Sequence, residues 1–424
     1  MQKLVIEGGT PLFGEIMTQG AKNAVLPVLA ACVLCEGTVH LKNCPCISDR
    51  YASARILSAL GAKVKTEGNS LTADCTGLSS DEISCYLMKA MRSSIIFMGA
   101  LLGRTGKCTL CYPGGCNLGP RPIDMHISAM RKMGGIISDE HGVISCSAPD
   151  GLKGCRHSLS FPSVGATENI MLAAVCAEGE TVISNAAREP EICCLADFLR
   201  ACGAKINGDG GGRIAIEGVK KLTAPDEAFE IIPDRIAAAT YLSCAACAGG
   251  ELLIRDCAPA HLEAVLPVFE QAGCRLKVFG SNIYIYRKGR LRSADTIRTM
   301  VYPGFPTDAQ AILMAPLCTA EGTTVFVENI FENRYRHTDA LCRMGADIRA
   351  EGRVAVVTGV PRLYGTVAEA PDLRGGAALV CAALGAEGVS EISNVNYIDR
   401  GYEEIERVLT AAGAKIRREA EKLP

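Results

Sequence analysis

The chain has 424 residues, 48% of them hydrophobic, with 44 Lys and Arg against 46 Asp and Glu for a formal net charge of −2. That is ample apolar material for a core and too long for one ordinary domain, so two domains are expected. The near-neutral balance argues against a nucleic-acid or membrane surface as the main partner, while a local basic cluster could still hold a small anion.

The stretch Met1-Gln2-Lys3-Leu4-Val5-Ile6-Glu7-Gly8 lacks the long apolar region and cleavage site of a signal peptide. The apolar run from Ala24 to Leu34 is too short to span a bilayer and contains Pro27. A soluble, cytoplasmic protein is expected. Its 22 cysteines are scattered rather than framed, and Cys32, Cys176, Cys244, Cys318 and Cys381 sit in apolar helical runs. A disulfide framework is not expected in such a chain; most of the thiols read as small buried hydrophobes. Cys32/Cys35 and Cys244/Cys247 have metal-like spacing but no matching His or Cys pair, so no metal is expected.

Two phrases recur six times. An apolar stretch, Gly and a β-branched run meet at Gly37, Gly106, Gly179, Gly250, Gly322 and Gly388. A Gly-small/polar-apolar phrase recurs at Gly61, Gly134, Gly203, Gly273, Gly345 and Gly413, with spacings of 73, 69, 70, 72 and 68 residues. Each unit of about 70 residues therefore reads as a buried apolar helix ending at Gly, a strand such as Thr181-Val182-Ile183, an amphipathic helix such as Ala52–Leu60, and two strands such as Ala62–Val64 and Leu71–Ala73. Six such units are too many for one core; three per domain is the natural division.

The start of each buried helix carries Lys22, Arg92, Gly165, Arg235, Asp308 or Arg374. Helix N-termini offer free N–H groups and a positive dipole end, a ready site for phosphate or carboxylate. Capping and local salt bridges would produce the same pattern at any single position. Within the second unit, between Gly106 and Gly134, lies Tyr112-Pro113-Gly114-Gly115-Cys116-Asn117-Leu118-Gly119-Pro120-Arg121-Pro122, a Gly/Pro-rich loop. Cys116 stands there outside any apolar period, near Arg121, where a thiol can exchange a proton or attack carbon. An incidental loop cysteine is the alternative in so cysteine-rich a chain.

Gly20-Ala21-Lys22-Asn23, Met91-Arg92-Ser93-Ser94, Pro113–Cys116 with Arg121-Pro122-Ile123-Asp124, and Ser163–Thr167 resemble the UDP-N-acetylglucosamine 1-carboxyvinyltransferases. So do Asn185–Glu191, Phe305–Asp308, Phe331–Arg334, Asp372–Arg374 and Asp399–Glu403, in the same order and spanning nearly the whole chain. The resemblance implies two inside-out α/β barrels of three repeats each, one comprising 22–229 and the other 1–21 with 230–424, with the active site in the interdomain cleft. It implies that Lys22, Asn23, Arg121 and Arg400 hold phosphoenolpyruvate. Asn23, Arg92, Arg121, Pro122, Ile123, Asp124, Met125, Ser163, Val164, Asp308 and Ile330 would hold UDP-N-acetylglucosamine, and Arg334 and Arg374 would aid cleft closure. One departure is Phe161, where some relatives carry lysine; a side-chain contact to the nucleotide phosphates is lost there, and main-chain contacts are left.

The implied reaction adds the sugar 3-hydroxyl to C2 of phosphoenolpyruvate and then eliminates phosphate, with no redox cofactor or metal. Cys116 is the expected acid at C3 and a site of covalent adduct. Asp308 is the expected base or orienting group, with Lys22 and Arg400 supplying positive charge. Two rivals are a shikimate-pathway enolpyruvyl transferase, which would not need the Cys116 loop, and a catalytically silent UDP-sugar-binding paralogue.

Overall fold

A computed structural model describes residues 2–114 and 123–420, which form two compact units. One unit contains 20–114 and 123–232, the other 2–19 and 233–420. These units divide at 19/20 and 232/233, beside the expected breaks at 21/22 and 229/230. Hydrogen bonds agree with this division: Ala21 N–H donates to Ile232 C=O (2.7 Å) and the Asn43 amide to Ile231 C=O (2.8 Å), inside the first unit. Asp234 N–H donates to Gln19 C=O (2.9 Å), inside the second.

Six helices, one per repeat, form the interior: α1 (Lys22–Ala31), α2 (Phe97–Thr105), α3 (Val164–Ala174), α4 (Arg235–Ala248), α5 (Thr307–Leu317) and α6 (Leu373–Gly385). Being apolar on nearly every side, they are buried almost throughout. Helices α4, α5 and α6 pack on one another, and α2 packs on α3. Gly99 permits the second contact, because a Cβ there would lie 2.2 Å from the Asn169 carbonyl oxygen.

Each unit carries three four-stranded sheets whose strands alternate buried and exposed residues, so one face covers the helices and the other meets solvent. The repeating pattern is one strand, a surface helix, and an antiparallel hairpin folding back, with a fourth strand added in parallel at the edge. Thr38–Lys42 thus pairs with Ser70–Asp74, which pairs with Lys63–Glu67, and Phe229–Glu230 lies parallel on the other side. In the sixth repeat Gln2–Glu7 takes the place of a hairpin strand, between Val389–Ser393 and Lys415–Ala420. Leu12–Met17 is the parallel edge strand of the fourth, beside Gly250–Arg255. The first residues of the chain thereby complete two sheets of the 2–19/233–420 unit.

Both glycine marks have a backbone reason. All six of the Gly61 class have φ between +92° and +102°, and all six of the Gly37 class between +70° and +97°. After Gly61 the next amide donates to the carbonyl five residues back, Ala62 to Leu57 (3.0 Å), and the same bond recurs at the other five. That is the Schellman closure of a surface helix. The expectation that the Gly37 class caps the buried helices is corrected. Gly106 does so, but α1, α3, α5 and α6 end three to six residues earlier, and Gly37, Gly179, Gly322 and Gly388 turn the chain into the following strand.

Most described thiols are core filler, and burial pushes them up, to about 12 at Cys75 and Cys318 and about 11 at Cys146 and Cys176. One pair departs from the expectation of free thiols: Cys85 and Cys111 are joined in a disulfide. No group of three or more His, Cys, Asp or Glu able to hold a metal occurs among the described residues.

Glu168, on α3, is only 5% exposed. Burial, then the neighbouring Glu191 and Glu189, hold its carboxyl well above the usual range, so the folded protein prefers it protonated. Its contribution to stability is complete below the unfolded carboxylate value and is lost as pH rises through the raised folded value. Glu168→Gln should therefore unfold at higher temperature than the parent at pH 7, by about 1–3 kcal/mol of stability, with the gap closing toward pH 4. Thermal melts at the two pH values check this.

Candidate active site

In the 20–232 unit, Lys22 is the first residue of α1. Ala21 before it is extended (φ −70°, ψ 119°) and supplies no side-chain cap, so the helix start is left to other groups. Gly20 is obligatory: a Cβ would lie 1.7 Å from the Asn43 carbonyl oxygen. The ammonium of Lys22 lies 2.9 Å from Asp49, and both are buried. Asp49 comes from the surface helix Ser48–Ala59, which begins four residues before the expected Ala52. Asn23 is half-buried on the next position.

Arg92, half-buried, opens the 3-10 turn Arg92–Ile96 that leads into α2. Ser94 anchors that turn by donating to Met88 C=O (2.8 Å) or Met91 C=O (2.9 Å). Asn169 ties it to α3, donating to Ile95 C=O (3.1 Å) and accepting from Gly99 N–H (2.6 Å). The Asn169 amide also meets His126 Nδ1 at 2.8 Å. Burial, then the charge of Arg92, lowers His126 to about 4, so its ring is neutral at pH 7 and Nδ1 can accept. Ser163 caps α3, accepting from Ala166 N–H (3.3 Å), and Val164 begins the helix. Ile123 is buried, Met125 half-buried and Asp124 exposed at the start of Asp124–Lys132. Phe161 is exposed.

In the other unit, Asp308 sits in the first turn of α5 between two arginines. Arg334 donates to one carboxylate oxygen (2.7 Å) and to Thr307 C=O (3.1 Å). Arg374 donates to the second oxygen from Nε (3.3 Å) and Nη2 (3.2 Å). Both guanidiniums are 3% exposed, against 28% for the Asp308 side chain. The carboxylate is thus the open end of a buried basic pair. Arg374 also donates to the Tyr402 hydroxyl (3.0 Å). That hydroxyl meets Thr240 at 2.8 Å, and Thr240 donates to Ile236 C=O (2.8 Å), which leaves Tyr402 as donor to Thr240. Burial pushes Tyr402 up to about 12, so it stays a neutral phenol. Asp372 caps α6 through Arg374 and Gly375 N–H (3.0 and 2.9 Å).

Ile330 is placed by the buried Glu328, which accepts from Ile330 N–H (2.8 Å), Phe331 N–H (3.0 Å), Thr299 (3.0 Å) and Thr307 (2.9 Å). Arg400 ends the turn Val395–Arg400, half-buried. Gln19 holds the segment after it, donating to Gly401 C=O and accepting from Glu403 N–H, both at 3.0 Å. Asp399, the residue before Arg400, accepts from both Nη groups of Arg418 (2.9 and 2.7 Å).

The family model for EPSP synthase (3-phosphoshikimate 1-carboxyvinyltransferase) matches residues 6–409. A UDP-N-acetylglucosamine 1-carboxyvinyltransferase 2 of Caldanaerobacter subterraneus is 47% identical, covering 98% of this chain and 99% of that protein. A UDP-N-acetylglucosamine 1-carboxyvinyltransferase 1 of Symbiobacterium thermophilum is 46% identical over 98% and 95%. The chain belongs to the UDP-N-acetylglucosamine 1-carboxyvinyltransferase family. The solved enolpyruvyl transferase NikO from Streptomyces tendae superposes with a TM-score of 0.89 at 25% identity over 98% of each chain. EPSP synthase from Acinetobacter baumannii, at 20% identity and a TM-score of 0.73 over 99% of this chain and 100% of that one, shares the fold.

Within this enolpyruvyl transferase, the structure brings together Asp308, Arg334 and Arg374 in one cluster. It sets Lys22, Arg92 and Ser163 at the starts of three central helices of the other unit. Cys116, Arg121 and Pro122 lie outside the described residues. Sequence reasoning missed Asp49, His126, Asn169, Thr240, Glu328 and Gln19, and quoted Tyr402 only as part of Asp399–Glu403 without a role. The polar Asn169 and Thr240 inside otherwise apolar helices were the one available signal. Tyr402→Phe should keep the fold but lose about 1.5–3 kcal/mol, the usual worth of a hydrogen bond to a charged group. Urea unfolding of parent and variant checks it.

Proposed function

We propose that this chain transfers the enolpyruvyl group of phosphoenolpyruvate to the 3-hydroxyl of UDP-N-acetylglucosamine, releasing phosphate, as the first committed step of peptidoglycan synthesis in the cytosol. The supporting observation is a contradiction of helix electrostatics. Lys22, Arg92, Arg235 and Arg374 stand at helix starts, where the dipole disfavours cations, in a chain whose relatives of matching length bear that activity in their names. Cations placed against their own helix dipoles are suited to multiply charged anions. No helix among the described residues is long and apolar enough to cross a membrane.

Lys22, Asn23, Arg121 and Arg400 bind the phosphate and carboxylate of the donor. Arg92, Ser163, Val164, Ile330 and the 121–125 stretch bind the nucleotide sugar. Asp308 orients the 3-hydroxyl and takes its proton as the oxygen bonds to C2, while the Cys116 thiol delivers a proton to C3. Asp308, held by two guanidiniums, acts on a hydroxyl already bonding to carbon rather than on a free one. The tetrahedral intermediate then loses a C3 proton and inorganic phosphate, whose charge the lysine and arginines stabilise.

A phosphate-release assay with each acceptor tests this: turnover with UDP-N-acetylglucosamine and none with shikimate 3-phosphate is expected. The reverse, or no turnover with either, overturns it. Lys22→Ala should lower turnover by about 10²–10³-fold or more, as losing one charge-stabilising donor does, and near-parent kcat at saturating phosphoenolpyruvate would remove Lys22 from the site. An epoxide phosphonate such as fosfomycin should alkylate Cys116 ahead of the buried thiols, faster with nucleotide sugar present. Cys116→Asp should keep some activity and resist the inhibitor. Peptide mass mapping after inactivation decides which cysteine reacts.

A further inference from the structure

Cys85 and Cys111 form the one disulfide among the described residues. Register brings them together. Glu82–Ile83 pairs in parallel with Lys107–Cys111, Glu82 opposite Thr109 and Ile83 opposite Leu110, and both strands end just beyond. One chain turns at Ser84 into the short helix Cys85–Ala90, the other runs on through Tyr112 and Pro113 to Gly114. The Cα atoms stand 5.1 Å apart, inside the range a disulfide spans.

Access separates this pair from other close thiols. Cys35 and Cys202 (3.4 Å) and Cys244 and Cys381 (3.5 Å) also touch, but all four are buried, where no soluble thiol reaches. Cys85 is exposed and Cys111 is 7% exposed. The link also encloses functional chain: its 26-residue separation makes a covalent ring containing the helix Cys85–Ala90, Arg92, its 3-10 turn and α2. Gly114 N–H donates to Met88 C=O (3.2 Å), so the chain beyond Cys111 rests on that same short helix.

We propose that Cys85–Cys111 is a thiol–disulfide exchange site for low-molecular-weight thiols, and that its redox state sets the affinity of the Arg92 side for the nucleotide sugar. In a reducing compartment an exposed disulfide is a switch rather than a staple. A thiolate RS⁻ attacks the accessible Cys85 sulfur, the S–S bond breaks, and Cys111 leaves as thiolate and takes a proton. A second RS⁻ attacks the outer sulfur of the mixed disulfide, forming RSSR and freeing Cys85. The protein disulfide is reduced by two electrons and two thiols are oxidised to RSSR; oxidation is the reverse, with RSSR as oxidant. The closed ring restrains the helix that leads to Arg92, so any adjustment on binding meets more resistance and the oxidised form binds the sugar more weakly.

The affinity part rests on the proposed function; the exchange site does not. Full-length protein and Cys85→Ser are equilibrated in glutathione buffers of rising disulfide-to-thiol ratio, alkylated and peptide-mapped, and titrated calorimetrically with UDP-N-acetylglucosamine. Expected are a Cys85–Cys111 cross-linked peptide that dithiothreitol reverses, and a dissociation constant about fivefold or more higher in the oxidised parent, with Cys85→Ser equal in both states. Absence of the peptide at every ratio overturns the site. A dissociation constant that moves equally in Cys85→Ser, or a raised melting temperature with unchanged affinity, overturns the switch. If neither redox form binds the sugar, the proposed function fails, and the exchange site still stands or falls on the peptide map.

Discussion

A helix apolar on every side must still satisfy the amide groups of its first turn, and that constraint organises this molecule. Three of the six central helices meet it with their own side chains: Ser163, Asp234 and Asp372 accept from the amides that follow them. The starts at Ala21–Lys22 and Pro306–Thr307, and the 3-10 turn opening at Arg92, have no such side-chain cap. The charged residues at or next to those starts, Lys22, Arg92 and Asp308, are the ones assigned to substrate. At α3 the two roles meet in one residue, since Ser163 both caps the helix and is assigned to the nucleotide sugar. At Lys22 and Arg92 the local charge also opposes the dipole, a conflict of the kind expected where a site has been favoured over stability.

Asp308 shows how a charge at a helix start is held in place. Its two arginines are almost wholly buried, and a buried guanidinium is tolerable only with its protons used. Arg374 spends them on Asp308 and Tyr402, and the chain of hydrogen bonds continues through Thr240 to the Ile236 carbonyl on α4. Arg334 spends its own on Asp308 and Thr307. The carboxylate thus reports the positions of α4, α5 and α6 together, which lets it be aimed with little freedom. The opposite strategy appears at His126 and Asn169, a neutral network that fixes the turn after Arg92 without adding charge beside it.

The cysteines follow the same division between packing and chemistry. Inside the helices they act as small apolar groups with strongly disfavoured thiolates. Cys85 differs only in place: it is exposed, at the end of a two-residue strand, beside the end of another. Composition could not separate it from the rest, because a thiol's reactivity depends on access and neighbours rather than on its count.

Much of the fold was legible in the chain. The two glycine marks work because left-handed backbone is costly for any other residue, so the requirement is written at each copy and repeats with the unit. The apolar helices and the charged residues at their starts were readable for the same reason, being local properties of consecutive residues. What tertiary structure alone decided were pairings across many residues: Lys22 with Asp49, Asp308 with Arg374, Arg374 with Tyr402, Gln19 with Gly401, Cys85 with Cys111. It also decided the domain breaks at 19/20 and 232/233, which follow contacts between residues distant in the chain. A backbone conformation is paid for where it occurs and leaves its mark there, whereas a contact depends on two positions whose separation the local pattern does not encode.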